Sequence, residues 1–411
     1  MTTGGRSHGT RAEVAPPDGV DLDALGPEAL RARRTAKWNR YADDVIPMWV
    51  AEMDFPTDPH VLAAVHRAID AETLGYPLTA QKSGLDVALA EWSQREHGWG
   101  IDPDGVHLVP NVVKGVGLAL ETLCEAGAPV IIPTPAYMPF FDVVRLRGLP
   151  QVHVPMTRPA SPASLSQSAP AWALDLDAID AAFAAGARTL ILCNPHNPLG
   201  HVHTRAEMLA LADVVERHGA RVVSDEIHSP LVFDGTHLPY AGLSTATAAH
   251  TVTITSASKA WNLPGLTCAQ VVTTSAADTA RWRDLPHEKT IGVGTLGIEA
   301  NIAAYREGGA WMGQVRDRLA HNRLLVADAV AAMPGVTHRT NAATYLAWLD
   351  FSELALDLEP SDWLLEHARV ALSVGDAFGA PARRFARLNF ATTAPLLDEA
   401  LARIADAVAR R

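Results

Sequence analysis

The hydrophobic positions of this chain follow two rhythms. Short, unbroken, largely β-branched runs occur in "APVIIPTPAY", "ARTLILCNP", "ARVVSDE", "HTVTITS" and "CAQVVTT". Such runs, bounded by turn residues, predict strands buried on both faces. Elsewhere apolar residues recur every three or four positions, which predicts helices in "DPHVLAAVHRAIDAE", "VVKGVGLALETLCEAG" and "TRAEMLALADVVERHG". The first should start at Asp58 or Pro59, and the second should end near Gly127. In the third, Thr204 is the expected N-cap, Glu207 its capping-box partner and Gly219 the stop. Buried strands alternating with helices predict an α/β domain with a mostly parallel sheet, placed at residues 60–305.

The pattern changes beyond that point. "GGAWMGQVRDRLAHNRLLVADAVAAM" reads as long helix. A strand in "TYLAWLDF", a helix from "PSDWLLEHARVAL", a strand near "FARLNFA" and a last helix to Arg411 complete an α+β segment, residues 306–411. The opening stretch "MTTGGRSHGTRAEVAPPDGVD" has neither period and is rich in Gly, Thr and Pro. Residues 1–20 are therefore expected to be a loose tail, and the lack of an apolar h-region predicts no secretory leader. "TRPASPASLSQSAPA" reads as an exposed connection.

Composition narrows the function classes. The chain has 411 residues, 48% hydrophobic and 19% charged, as expected of a soluble globular protein with a large core. Its formal charge of −12 argues against nucleic acid as the main partner, because binding a phosphate backbone needs a basic face. No apolar run is long enough to span a membrane. Cys124, Cys193 and Cys268 are far apart in apolar stretches, so they read as buried free thiols in a reducing cytoplasm.

Candidate chemistry collects at strand ends. Asn194 and Asn197 follow one predicted strand, Asp225 ends another, and Ser256, Ser258 and Lys259 follow a third. Ligands of open α/β sheets bind outside the carboxyl ends of the strands, so these residues are expected to face one crevice. Taken singly, each is an ordinary turn former or cap, and Lys259 a surface lysine with its ammonium in water. Together they point to one shared site, in which Lys259 is either that surface lysine or an amine nucleophile that forms a Schiff base with a carbonyl compound. Other patterns carry less. "SASK" fits the Ser-x-x-Lys pattern of penicillin-recognising enzymes, but the downstream motifs are missing. His196, His201 and His203 match no common zinc spacing and read as turn histidines, so no metal is expected. "GVGTLG" follows no clear strand and is weak as a dinucleotide signal.

Four motifs in order, "CNPHNPLG", "SDEIHSPLVFDGTHLPYA", "SASKAWNLPGL" and "ARLNFA", resemble a fold-type I pyridoxal-phosphate enzyme. With "MWVAEMDFPT", they are most similar to the cystathionine β-lyase (MalY/PatB) branch of the class I/II aminotransferase superfamily. The resemblance covers essentially the whole chain after the tail. It implies the aminotransferase fold: a large domain on a seven-stranded, mostly parallel sheet, plus a small α+β domain built from residues 21–59 and 306–411. It implies pyridoxal 5′-phosphate as cofactor and Lys259 as the lysine that carries it and later moves protons. Asp225 would pair with the ring nitrogen, Asn197 and His228 would lie near the phenolic oxygen, and Tyr137 would stack on the ring. Ser256, Ser258 and the turn Lys114–Gly115–Val116 would hold the phosphate. Tyr76 would reach the phosphate of a neighbouring subunit, which implies a homodimer with shared sites. Arg387 would fork onto the substrate α-carboxylate, with Val50 and Ala51 nearby. Two departures stand out: Thr267 occupies a position where many relatives carry a phosphate-binding arginine, and Lys114 is unusual in its turn.

The reaction implied is β-elimination from cystathionine or a related S-substituted L-cysteine, giving thiol, pyruvate and ammonia. An apolar side pocket lined by Trp49 or Trp261 would suit the thioether. The alternatives are an aminotransferase, a pathway-specific decarboxylating or deaminating enzyme, and a regulatory protein that keeps the fold.

Overall fold

The computed structural model describes residues 19–158, 172–379 and 382–411. Most of the expected tail and of the Ser/Pro/Ala-rich connection lies outside these residues.

The unbroken apolar runs become the centre of a seven-stranded sheet. Its strands are β2 (Val106–Val109), β3 (Val130–Thr134), β4 (Gln151–Pro155), β5 (Thr189–Cys193), β6 (Arg221–Asp225), β7 (Thr251–Thr255) and β8 (Ala269–Thr273), in the spatial order β2-β8-β7-β6-β5-β3-β4. Neighbours run parallel except β8, which is antiparallel to both β2 and β7. Every residue of β3, β5, β7 and β8 is buried, because helices cover both faces. Successive side chains alternate between those faces. Leu190 and Leu192 pack with Met208 and Leu211 of the helix Arg205–Arg217. Ile191 and Cys193 pack with Val116 and Leu120 of the helix Val112–Thr122. β2, with two half-buried positions, and β4, with four exposed or half-buried ones, lack the unbroken apolar run that marks the other strands.

Two glycines set the spacing around the site. A Cβ on Gly115 would stand 3.0 Å from Ile254 Cγ2 and 3.1 Å from Val271 Cγ2, so its absence lets the helix Val112–Thr122 lie directly on β7 and β8. A Cβ on Gly308 would stand 2.3 Å from Trp261 Nε1, at the junction of the helices Thr295–Glu307 and Gly309–Ala331. Trp261 instead donates from Nε1 to the Gly308 carbonyl at 3.2 Å.

The C-terminal segment forms a four-stranded antiparallel sheet, β12 (Ser373–Val374), β13 (Phe385–Asn389), β10 (Leu346–Asp350) and β9 (Thr337–His338). The N-terminal strand β1 (Ile46–Pro47) runs parallel to β11 (Val370–Ala371), which joins the two ends of the chain. The strap beyond β1 is then fixed at many points. Asn389 Nδ2 donates to the carbonyls of Val50 and Glu52, at 2.6 and 2.7 Å. Asn262 bonds both the N–H and the carbonyl of Met53. Lys37 and Asp54 form a fully buried ion pair of 2.7 Å, and Trp38 donates to the other Asp54 oxygen. No helix among the described residues is long and apolar enough to cross a membrane.

Candidate active site

The strand ends converge because the register aligns them. Cys193 of β5 sits opposite Asp225 of β6, and Asp225 sits opposite Ile254 of β7. The loops leaving β5 and β7 therefore start beside Asp225. They border a cavity of about 540 Å³, whose wall includes Asn197, Asp225, His228, Ser258, Lys259, Tyr137 and Arg387. The strap supplies Trp49, Val50 and Ala51 to the same wall.

Burial sets the electrostatics. Asp225 is 3% exposed and accepts the Ile227 N–H at 3.1 Å. Desolvation, reinforced by Glu226, pushes its carboxyl up to about 7 despite that bond and Lys259. Lys259 donates to the Ala51 carbonyl at 2.9 Å. Desolvation and the positive charge of Arg387 lower its amine to about 8. His228 is buried, its Nδ1 has no partner, and desolvation lowers it to about 3, which keeps the ring neutral. Arg387, 4% exposed on β13, donates from Nη1 to Asn197 Oδ1 at 2.9 Å. Its Nη2 reaches Ser373 Oγ at 3.1 Å and the Trp49 carbonyl at 3.3 Å. The guanidinium lies 4.8 Å from the centre of the Phe378 ring, on the face that attracts cations.

Several expected residues stand elsewhere. Lys114, Gly115 and Val116 are not part of the cavity wall; Asn111, Val112 and Val113 are. The cap explains the shift. Asn111 accepts the Lys114 N–H at 2.8 Å on its side chain and the Gly115 N–H at 3.1 Å on its carbonyl, so those donors are spent inside the helix. The helix begins at Val112, as its apolar period suggested, so Lys114, Gly115 and Val116 lie inside its first turns, and an asparagine directly before that period was the available signal for the cap. Ser256 is also outside the wall. Its hydroxyl donates to the Cys268 carbonyl at 2.7 Å and accepts the Ser258 N–H, shaping the lysine loop instead. Tyr76 is 94% exposed and is not part of its own cavity wall; it lines a separate surface groove. Trp261 is a core residue, 1% exposed, so of the two tryptophans Trp49 lines the cavity. Sequence reading missed Ser373, which steadies Arg387, and Tyr345, whose hydroxyl donates to the Ala51 carbonyl at 3.2 Å.

A family model, "Aminotransferase class I and II", matches residues 43–404. The chain belongs to that family. It is 39% identical to the cystathionine β-lyase of Corynebacterium glutamicum over 92% of this chain and 98% of the relative. It is 32% identical to the cystathionine β-lyase PatB of Bacillus subtilis over 90% and 96%. Among solved structures, a Corynebacterium diphtheriae protein assigned provisionally as a PLP-dependent β-cystathionase superposes with a TM-score of 0.87 at 37% identity, covering 95% of this chain and 99% of that one.

The cofactor that goes with this membership is pyridoxal 5′-phosphate, and the cavity fits it. A buried amine and a buried carboxyl face one space, each pushed toward its neutral form by burial. The orphaned His228 Nδ1 lies beside them. The first N–H groups of the helix Val112–Thr122 open onto the same wall, where an anion is favoured.

Proposed function

We propose that this chain is a pyridoxal-phosphate-dependent carbon–sulfur β-lyase acting on cystathionine or a related S-substituted L-cysteine, with thiol, pyruvate and ammonia as products. The observation that carries the reading is the cavity wall itself. Among the described residues Arg387 is its one arginine, and Trp49, Val50, Met138, Pro139, Ile227 and Pro264 make much of the remainder apolar. A single fork suits one α-carboxylate, and an apolar wall suits a thioether. Identity with cystathionine β-lyases across nearly the full length of both chains supports the same reading.

Each residue has a task in this scheme. Arg387, held by Ser373 and the Trp49 carbonyl, orients the α-carboxylate and thereby the Cα–H bond. Lys259 Nζ takes the Cα proton as general base; an amine lowered to about 8 is available near neutral pH. Bound PLP supplies the electron sink for the charge left on Cα. Asp225 would hold the proton on the ring nitrogen, because a cation against this buried carboxyl restores its ionised form. Neutral His228 and Asn197 would hold the ring oxygen, Tyr137 would cover the ring, and Ser258 with the N–H groups of Val112 and Val113 would hold the phosphate. The Cβ–S bond then breaks, the thiolate takes the proton that Lys259 removed from Cα, and water hydrolyses the remaining three-carbon fragment to pyruvate and ammonia.

The protein works as a homodimer in this reading, with Tyr76 entering the partner's cavity. Tyr76 stands beside exposed Leu74, Leu78 and Ile291, at a surface groove of about 610 Å³. The test of the reaction incubates the enzyme with cystathionine and no keto acid. Equal yields of pyruvate and free thiol are expected. Turnover only with added 2-oxoglutarate, with glutamate accumulating, would make the protein an aminotransferase.

A further inference from the structure

We infer that His201, His203 and Glu207 form a binding site for one zinc-like divalent transition-metal ion, which braces the loop carrying Asn197. The three residues lie on the loop after β5 and the first turn of the helix Arg205–Arg217. His201 and His203 are two apart in an extended segment, so their rings lie 4.6 Å apart between centroids. Helix entry brings Glu207 up beneath them. His201 Nε2 is 3.1 Å and His203 Nδ1 3.0 Å from the same carboxylate oxygen, Glu207 Oε2. All three donor atoms lie within 4.8 Å of one another.

Three observations point to a metal. The first is chemical: two imidazole nitrogens and a carboxylate oxygen are a common zinc donor set. Atoms bound about 2.0–2.2 Å from one zinc ion stand roughly 3.3 Å apart, so small movements convert the observed cluster into a coordination shell.

The second is electrostatic. His203 is 1% and His201 5% exposed, and the Glu207 side chain is 11% exposed. Among the described residues no Lys or Arg forms an ion pair with Glu207; its partners are the two imidazoles and the Leu174 N–H, at 2.7 Å. Buried charges are paired or coordinate metals, and a divalent cation between these three groups balances the carboxylate. Glu207, the most exposed of the three, gives the ion its way in, and a water completes the shell.

The third is a broken local rule. Thr204 caps the helix and accepts the Glu207 N–H at 3.1 Å. The sequence Thr-x-x-Glu would normally return the glutamate to the cap backbone. Here the carboxylate forgoes that bond and turns to the histidines. Local rules are broken most often where a site requires it. None of these three residues takes part in the chemistry proposed for Lys259, Asp225 and Arg387.

The test uses the holoenzyme, dialysed against a chelator and then titrated with Zn²⁺ alone or Co²⁺ alone. One tightly held zinc per chain is expected by elemental analysis after gel filtration. Co²⁺ should give visible bands of nitrogen coordination at wavelengths beyond the cofactor's absorption, and zinc should raise Tm. Glu207→Gln keeps the size of the side chain and the Thr204 cap, and His203→Phe keeps the bulk of the ring. Both should lose the metal and the zinc-dependent rise in Tm while the cofactor's absorption stays unchanged. Where His203→Phe does not fold, Glu207→Gln alone decides. Wild-type protein that retains no metal overturns the inference. So does Glu207→Gln protein that retains it at wild-type stoichiometry, since all but two of the chain's 17 histidines lie outside the cluster and could bind it. A Tm lowered equally by Glu207→Gln with and without zinc would leave only a hydrogen-bonded cluster and would also overturn it.

Discussion

Asp225 is held where its own ionisation is unfavourable, and the consequence is measurable at the level of one residue. Its folded-state pKa of about 7 lies above the ordinary value of 3.8. The folded, cofactor-free protein therefore keeps this proton where the unfolded chain has lost it. The associated stability is complete below pH 4 and disappears as pH rises through about 7. Asp225→Asn keeps an oxygen for the Ile227 N–H and removes the titration. Cofactor-free Asp225→Asn protein should therefore be more stable than wild type by about 2–4 kcal/mol at pH 8, and the gap should close toward pH 4. Urea denaturation at both pH values measures it. The same variant should lose several orders of magnitude in turnover, because an amide cannot hold the ring proton. Arg387 gives a second residue-scale expectation. Arg387→Lys supplies charge but no fork, so KM should rise at least tenfold, while the cofactor's absorption stays as in wild type. Full activity in that variant would mean that another group binds the carboxylate.

At the scale of elements, the strap of residues 49–54 is the part with the most to lose. It presents the Ala51 carbonyl to Lys259 and the Trp49 carbonyl to Arg387. Its position rests on the Lys37–Asp54 pair, in which Lys37 also donates to the Glu52 carbonyl at 3.0 Å. Lys37→Met leaves a buried carboxylate without its cation and should cost about 3–5 kcal/mol in urea denaturation. A loss below 1 kcal/mol would mean that water reaches Asp54 and that the strap is held by Asn389 and Asn262 alone. The cap at Asn111 belongs to the same scale. A single side chain decides which N–H groups of the helix remain free to meet an anion.

For the whole molecule, the proposed shared site makes a complementation experiment decisive. Lys259→Ala and Tyr76→Ala proteins should each be nearly inactive. In a mixed dimer of the proposed kind, one cavity would combine Lys259 of one subunit with Tyr76 of the other, so mixing the unfolded variants and refolding them together should recover activity that neither shows alone. No recovery, with mixed dimers demonstrated, would place Tyr76 outside the partner's site.

The amino-acid sequence by itself determined the α/β class, the central strands and the cluster of Asn197, Asp225, Ser258 and Lys259. Unbroken apolar runs specify strands buried on both faces, and parallel connections bring the polar residues after those runs to one edge. Motif order carried Arg387 to the same place from the far end of the chain. Tertiary structure decided what periodicity does not encode. It spent the Lys114 and Gly115 N–H groups on a cap, turned Ser256 into a loop bond, and put Trp49 rather than Trp261 on the cavity wall. It also brought Ser373 and Tyr345 to the strap, and swung Glu207 from its helix cap to two loop histidines. A one-dimensional pattern fixes which face a residue takes. Which distant donors and acceptors then meet depends on how buried polar groups find partners once the elements are packed, and only the packed chain determines that.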